Sequence, residues 1–120
     1  MTASLTAAAA ATRLDITTSY LHRLTGAGYL RTVDLDDEVL YPAWQFSDQP
    51  NKPVVAGIDI VAPSIPVGWS LPAEHFFMRA PRAELAIDGR HQSPAGWLDR
   101  GGNPHAVAGI LERFSYDIEP

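Results

Sequence analysis

The chain has 120 residues, 46% of them hydrophobic, and a formal net charge of −5 at pH 7, which is enough apolar material for one modest core or two small ones. It contains no cysteine, which excludes disulfides, thiolate metal sites and cysteine nucleophiles. No apolar run approaches the roughly 20 residues of a membrane helix, and the alanine-rich start lacks the basic region of a secretory signal, so we expect a cytoplasmic protein with no membrane partner.

Charge and proline divide the chain into two parts. Residues 1–33 carry three arginines against one aspartate, a balance of +2, whereas the remainder has 6 basic and 13 acidic residues, a balance of −7. All ten prolines follow residue 41. We therefore predict a mildly basic, helix-compatible domain over residues 1–47 and an acidic domain of short elements over residues 48–120.

The first thirty residues predict a helix-turn-helix. The alanines at 7–11 have the highest intrinsic helix preference and Thr6 can cap them, which gives a first helix from about Thr6 to Arg13. After a turn at 14–16, Thr17 is a good N-cap for a second helix that ends at Gly26. The apolar positions of this second helix are Tyr20, Leu21 and Leu24.

The opposite face of the second helix has the chemistry of a DNA-binding surface. Short hydroxyls beside an arginine are side chains that reach phosphates and base edges. The alternative is that any small helical hairpin shows this spacing without binding DNA. The residues that we predict to contact DNA are Thr17, Thr18, Ser19, His22 and Arg23.

A β-hairpin is predicted next, with strands over 29–35 and 39–41 and a turn at Asp36-Asp37. A hairpin after a helix-turn-helix has the outline of a winged helix. Its tip is acidic, however, and phosphates repel carboxylates, so we expect the tip to face away from DNA or to meet a basic partner. The acidic side chains are Asp34, Asp36, Asp37 and Glu38. Beyond the hairpin, we expect Trp44 and Phe46 to cover the core between the two domains.

Capping residues and prolines predict where the helices of the second domain begin and end. The proline-rich stretch 47–72 cannot hold a long helix, and the apolar segment 54–61 is expected to form one or two helical turns or a short extended segment. Ser70 can cap a helix from Leu71 to about Arg79, with Pro72 in its first turn, and Asp88-Gly89 predicts a turn.

Two more helices are predicted at the end of the chain. They start at Ser93-Pro94 and Asn103-Pro104, and Gly101-Gly102 separates them. The last helix carries one apolar stripe, which predicts a buried face, and is expected to end near Ser115. The stripe consists of Val107, Ile110, Leu111 and Phe114. The predicted fold is thus α+β and predominantly helical.

No catalytic or cofactor motif is present in the sequence. The four histidines, at 22, 75, 91 and 105, form no His-x-x-x-His or similar ligand pair. Gly26-Ala27-Gly28 lacks the third glycine and the preceding strand of a dinucleotide-binding loop, and there is no phosphate-binding Gly-Lys-Ser loop. We therefore predict a protein that is not an enzyme and that has no cofactor and no metal site.

The order of the motifs along the chain resembles a known family. The amino-terminal series resembles the DNA-binding half of small bacterial antitoxin-like proteins, and it comprises 14–17, 20–24, 28–30 and the segment Tyr41-Pro42-Ala43-Trp44-Gln45-Phe46. The later series is similar to the toxin-binding domain of the Xre/MbcA/ParS antitoxins. That series comprises Gly68-Trp69, Phe76-Phe77, Ala80-Pro81, Leu85, Asp88-Gly89, Ser93-Pro94-Ala95-Gly96-Trp97-Leu98, Gly101-Gly102 and 107–114.

The resemblance implies a type II antitoxin whose partner is a RES-domain toxin that acts on NAD⁺. Such antitoxins cover the active-site cleft of the toxin with their carboxy-terminal region and repress their own operon through the amino-terminal domain. An acidic domain suits a basic cleft that receives an anionic dinucleotide. The implied partners are therefore the cognate toxin, operator DNA and further copies of the chain, in a homodimer or a larger complex with toxin. The residues that we predict at the toxin contact are Trp97, Arg100, Asn103, Arg113 and Tyr116.

Two features depart from the family pattern. The amino-terminal half is closer to an excisionase-like or winged helix than to the Xre type, and residues 83–92 lack the usual apolar spacing. Two alternatives therefore stay open. One is a stand-alone excisionase-like transcriptional regulator whose acidic domain serves only dimerisation, and the other is a protein-interaction module with a vestigial DNA-binding fold.

Overall fold

The computed structural model of the chain describes residues 3–49 and 52–118, with side chains as far as Phe114. The fold is mixed α+β, with more helix than strand. The strands are β1 (Ser4–Thr6), β2 (Val33–Leu35), β3 (Glu38–Pro42), β4 (Arg82–Ile87) and β5 (Arg90–Gln92). The α-helices are α1 (Ala7–Leu14), α2 (Thr18–Gly26), α3 (Ile58–Val61), α4 (Leu71–Arg79), α5 (Pro94–Asp99) and α6 (Pro104–Ile118).

The predicted caps determine the first two helices. The Thr6 hydroxyl accepts a hydrogen bond from the Ala9 amide at 3.2 Å, and the Thr17 hydroxyl accepts one from the Tyr20 amide at 3.1 Å. Between the helices, Asp15 adopts the left-handed conformation with φ 57°, which an aspartate tolerates better than most residues. The predicted pair of helices joined by a short turn is thus confirmed.

A three-stranded antiparallel sheet, in the order β1-β3-β2, accompanies these helices. The predicted turn is confirmed, because Asp36 and Asp37 both have positive φ, as a two-residue hairpin requires. The first strand is shorter than predicted, since it begins at Val33 and not at Tyr29. We did not predict β1, which is only three residues long and pairs with β3, so that Leu5 lies opposite Tyr41.

The amino-terminal core lies between α1, α2 and the sheet. It consists of Ala10, Ala11, Leu21, Leu30, Tyr41 and Phe46, with Leu24 and Ile16 packed against it. One predicted core position is wrong: Tyr20 is 47% exposed. The neighbouring Leu21 takes the inward position, and the Tyr20 ring instead lies 5.9 Å from the Arg23 guanidinium on the outer face of α2.

Most predicted elements of the second part are confirmed. Ser70 caps α4 through the Ala73 amide, and Ser93 caps α5 through the Gly96 amide. The predicted short turns near 54–61 are α3 and a following 3-10 turn over Ala62–Ser64. In contrast, α6 continues to Ile118 and does not end near Ser115.

The β4–β5 hairpin was not predicted, although its Asp88-Gly89 turn was. Both turn residues have positive φ, at 52° and 79°. The register shifts between Arg82 and Ala86, so the strands pair irregularly. The second strand consists of Arg90, His91 and Gln92, so no apolar residue marks it as a strand in the sequence.

The carboxy-terminal core is larger and is closed by the apolar stripe of α6. Trp44 also belongs to it, whereas Phe46 lies in the amino-terminal core. Burial of both aromatic residues was predicted and is confirmed. The members are Trp44, Val55, Ile58, Val61, Ile65, Phe77, Met78, Leu85, Ala95, Leu98, Val107, Ile110 and Leu111, with Phe114 packed against them.

A buried ion pair joins the two cores. Glu74 on α4 is 2% exposed, and its two carboxylate oxygens accept hydrogen bonds from Arg31 at 2.8 and 2.7 Å. Trp44 Nε1 donates to the same carboxylate at 2.8 Å. Buried Gln45 completes the network, since its side chain accepts from the Arg31 amide and donates to the Arg31 carbonyl, both at 2.9 Å.

A second polar seam joins the same two parts at 47–52. Arg13 donates to the Ser47 carbonyl at 3.0 Å, and the Ser47 hydroxyl donates to Asp99 Oδ1 at 2.6 Å. Lys52 donates to the Asp99 carbonyl at 2.7 Å. The predicted boundary near residue 47 therefore coincides with a tightly bonded junction.

Among the described residues, no helix has the length and apolar character needed to cross a bilayer.

Candidate functional site

The face of α2 that we predicted to contact DNA is exposed. Thr17, Thr18, Ser19, His22 and Arg23 are all solvent-accessible. Two of them also have local roles, since the Thr17 hydroxyl oxygen caps the helix and Arg23 stacks near Tyr20. The remaining hydroxyls, the imidazole and most guanidinium N–H groups are available to an external acceptor.

The hairpin between β2 and β3 presents a mixed surface. Its acidic side chains Asp34, Asp36, Asp37 and Glu38 are exposed. Leu35 and Val39 are also half-exposed, at 50% and 46%. An acidic tip with apolar neighbours is unsuited to a phosphate backbone and suits a protein surface better.

The first of the predicted toxin contacts, Trp97, has a structural role. Its Nε1 donates to the Asn103 carbonyl at 2.9 Å, and its ring lies against Gly102 so closely that a Cβ there would overlap it. The glycine pair thus lets the chain turn tightly beneath the indole. Only part of the Trp97 ring is accessible to a partner.

The remaining predicted contacts occupy two places. Arg100 and Asn103 are exposed at the turn between α5 and α6, and Asn103 Oδ1 accepts from the His105 amide at 2.9 Å, which caps α6. Arg113 lies ten residues further along α6, about 15 Å away at 1.5 Å per residue. Tyr116 is on α6, but its side chain lies outside the described residues.

Arg113 belongs to a charged cluster that the sequence did not indicate. Its guanidinium donates to Glu84 Oε2 at 3.0 Å, and Arg82 donates to the same oxygen at 3.0 Å. The Arg82 guanidinium also lies 5.4 Å from the centre of the Phe77 ring and 5.8 Å from that of Phe114. Glu84 and Arg113 are 29 positions apart in the sequence, so only the packing of β4 against α6 brings these side chains together.

We predict that Glu84 stays ionised well below the pH at which a glutamate ordinarily titrates. The hydrogen bond from Arg82 is the main reason that the pKa of this carboxyl falls from 4.5 to about 2, and its own backbone amide and Arg113 act in the same direction. Because the folded pKa lies below the unfolded one, the ion pairs stabilise the fold above about pH 4.5, and this stabilisation is lost as the pH falls toward 2. The contribution is small, since Glu84 is 41% exposed.

An NMR titration of the Glu84 carboxyl carbon checks this prediction. The expected midpoint is about 2, and Arg82→Gln should raise it more than Arg113→Gln. A midpoint near 4.5 in the unaltered protein would show that the two guanidinium groups do not hold the carboxylate in solution.

The described residues contain no metal-binding cluster, that is, no group of three or more histidine or acidic side chains close enough to share an ion. A cleft of about 440 Å³ lies between residues 27–29 and 54–59. Its lining is mostly apolar residues and glycines, and Asp59 is its one carboxylate. This lining does not provide a pair of groups for general acid and base catalysis.

Comparisons of the chain with protein-family models, with curated proteins and with solved structures found no match. The function is therefore inferred from the surface chemistry of the chain and from its motif resemblance.

Proposed function

We propose that this protein is the antitoxin of a type II toxin–antitoxin system. In this proposal, the carboxy-terminal part covers the active site of a RES-type toxin that degrades NAD⁺. The amino-terminal part, acting as a helix-turn-helix with a hairpin wing, binds operator DNA and represses the operon. The protein acts in the cytoplasm as a homodimer or as a larger complex with toxin.

The observation that carries the DNA-binding part is the exposure of all five candidate residues at the start of α2. They combine hydroxyl donors, an imidazole and a guanidinium on one short helix that is anchored by Leu21 in the amino-terminal core. A rigid helix with its polar face free is the arrangement that enters a major groove. The acidic hairpin supports a second role for this part, which is contact with a basic protein.

The toxin-binding part is supported by the resemblance and by two local features. Arg100 and Asn103 are exposed at one turn, and the Trp97–Gly102 packing makes that turn rigid. A rigid polar turn beside an acidic body can dock into a basic cleft at little entropic cost.

Co-expression tests the proposal directly. We expect the product of the adjacent gene to be a RES-domain protein, to co-purify with this chain and to lose its NAD⁺-degrading activity in the complex. A RES-type neighbour that forms no complex, or that stays active when bound, would contradict the antitoxin function.

Arg23→Glu is predicted to abolish repression and leave neutralisation of the toxin intact. The change places a carboxylate where a phosphate or base edge would lie, so affinity for an operator fragment should fall at least about tenfold at moderate salt. Fluorescence anisotropy over a range of salt concentrations measures this loss. Arg90→Glu on β5 is the matched control, since Arg90 is exposed and lies outside α2.

The Arg23→Glu variant also distinguishes the antitoxin proposal from the alternative of a stand-alone excisionase-like regulator. The exposed face of α2 supports that alternative as well. For such a regulator, Arg23→Glu would remove all activity and no partner would be captured by the wild-type chain. If the wild-type chain shows no salt-dependent DNA binding at all, the chain is a protein-interaction module and the repressor part of the proposal fails.

A further inference from the structure

A small cleft of about 200 Å³ lies between β4 and α6. Its lining consists of Arg82, Glu84, Ile110, Arg113 and Phe114. We name it the arginine cleft. We propose that the arginine cleft binds a carboxylate that is carried next to an apolar group, as in an acidic segment of a protein partner.

The net positive charge of the cleft favours an anionic ligand. Two guanidinium groups share one carboxylate oxygen, Glu84 Oε2, so the cleft keeps a formal charge of +1. Residues 34–120 as a whole have a balance of −7, so a site with a charge of +1 differs in sign from the part of the chain that carries it. A charge of +1 matches one carboxylate, whereas a phosphate dianion would exceed it.

The two arginines of the cleft differ in how firmly they are held. Arg82 is held by the Phe77 and Phe114 rings and is largely covered, at 27% exposure. Arg113 is 62% exposed and keeps most of its N–H donors toward solvent. Binding therefore costs little side-chain entropy at Arg82 and leaves Arg113 free to close on the ligand.

The rest of the cleft lining is apolar and leaves little room. Ile110 and Phe114 are apolar, and the cleft is too small for more than one side chain. An occupant that satisfies the lining has a carboxylate within reach of Arg113 and an aliphatic or aromatic group against the partly exposed Phe114 ring, since Ile110 is only 5% exposed. The chemistry of the cleft is the same whether or not the protein is an antitoxin, because it depends only on these five residues.

NMR titration of the full chain with N-acetyl-phenylalanine tests the proposal. This probe carries one carboxylate on an apolar group. We expect saturable shifts of the Arg113 Nε–Hε signal and of the Ile110 methyl signals. N-acetyl-phenylalanine amide, which has the same shape without the charge, and inorganic phosphate are the matched probes, and both should bind more weakly than the acid.

Three variants sharpen the test. Arg113→Gln should weaken binding of the acid about two- to fivefold, the range of an exposed ion pair. Glu84→Gln should strengthen it by a similar factor, because the internal competitor is removed. Arg90→Gln, outside the cleft, should change nothing.

Four outcomes would overturn the proposal. They are the absence of saturation, equal binding of the amide, equal binding of phosphate, and an Arg113→Gln variant that binds as well as the wild type. Because Arg113 is mostly exposed, the variant is expected to fold, and the unchanged signals of the amino-terminal core verify this.

Discussion

Glu74→Gln should lower the free energy of unfolding by about 3 kcal/mol, near the low end for breaking a buried ion pair. The neutral amide can still accept from Trp44, but it cannot balance the charge of Arg31, whose side chain is only 19% exposed. The variant leaves an uncompensated guanidinium between two cores, which is the costly part of the change. Urea unfolding followed by tryptophan fluorescence measures the loss.

Glu112→Gln is the matched control for this prediction. Glu112 is an exposed carboxylate on α6 that accepts a long, 3.5 Å hydrogen bond from Ser64, so its replacement should cost less than about 0.5 kcal/mol. If the two variants lose the same stability, the buried ion pair does not hold the cores together. The double variant Arg31→Met with Glu74→Gln should recover much of the loss, because no unpaired charge remains and the amide oxygen still accepts from Trp44.

Gly57→Ala should destabilise the protein by about 3 kcal/mol through two additive causes. Gly57 has φ +80°, a conformation that costs an L-residue about 1–2 kcal/mol. In addition, an alanine Cβ would lie 2.5 Å from the Pro104 Cβ at the start of α6, and such overpacking costs about 1–3 kcal/mol.

Gly89→Ala separates the two causes. Gly89 has nearly the same φ, +79°, but nothing lies within 4 Å of an added Cβ. It should therefore cost about 1–2 kcal/mol, the conformational part alone. Thermal and urea unfolding of the two variants provides the comparison. If Gly57→Ala and Gly89→Ala lose the same stability, the start of α6 shifts to accommodate the added Cβ at residue 57 without a measurable cost.

Helix starts were predictable from the sequence because their causes are local. Thr6, Thr17, Ser70 and Ser93 each accept a hydrogen bond from an amide three residues ahead. A cap and its helix are neighbours in the chain, so their side-chain chemistry can be read directly. The exposed face of α2 followed from the same local spacing.

The elements that were missed or misplaced depend on distant partners. β1 is a strand only because residues 4–6 pair with β3, more than thirty residues away. The β4–β5 hairpin pairs with an irregular register, and β5 consists of Arg90, His91 and Gln92, so no apolar residue marks it as a strand. Tyr20, Leu21 and Leu24 were all expected inside, yet the packing of α2 buries Leu21 and leaves Tyr20 47% exposed.

The candidate sites likewise divide into those made of residues close in sequence and one made of residues far apart in sequence. The polar residues of α2 and the turn at Arg100 and Asn103 are contiguous in sequence, and both are exposed. The arginine cleft joins side chains from β4 and α6, and no spacing rule relates them.

By itself, the sequence determined the caps, the turns, the apolar stripe of α6 and the acidic character of the second part. Each of these depends on residues within one or two helical turns, or on composition. Only the tertiary structure decided that Trp44 enters the carboxy-terminal core, that Arg31 meets Glu74 across 43 positions, and that Arg82 and Arg113 share Glu84. These pairings depend on how the two cores pack against each other. Packing is driven by the burial of apolar surface, which is non-directional, so the sequence separation of two residues does not indicate whether they meet.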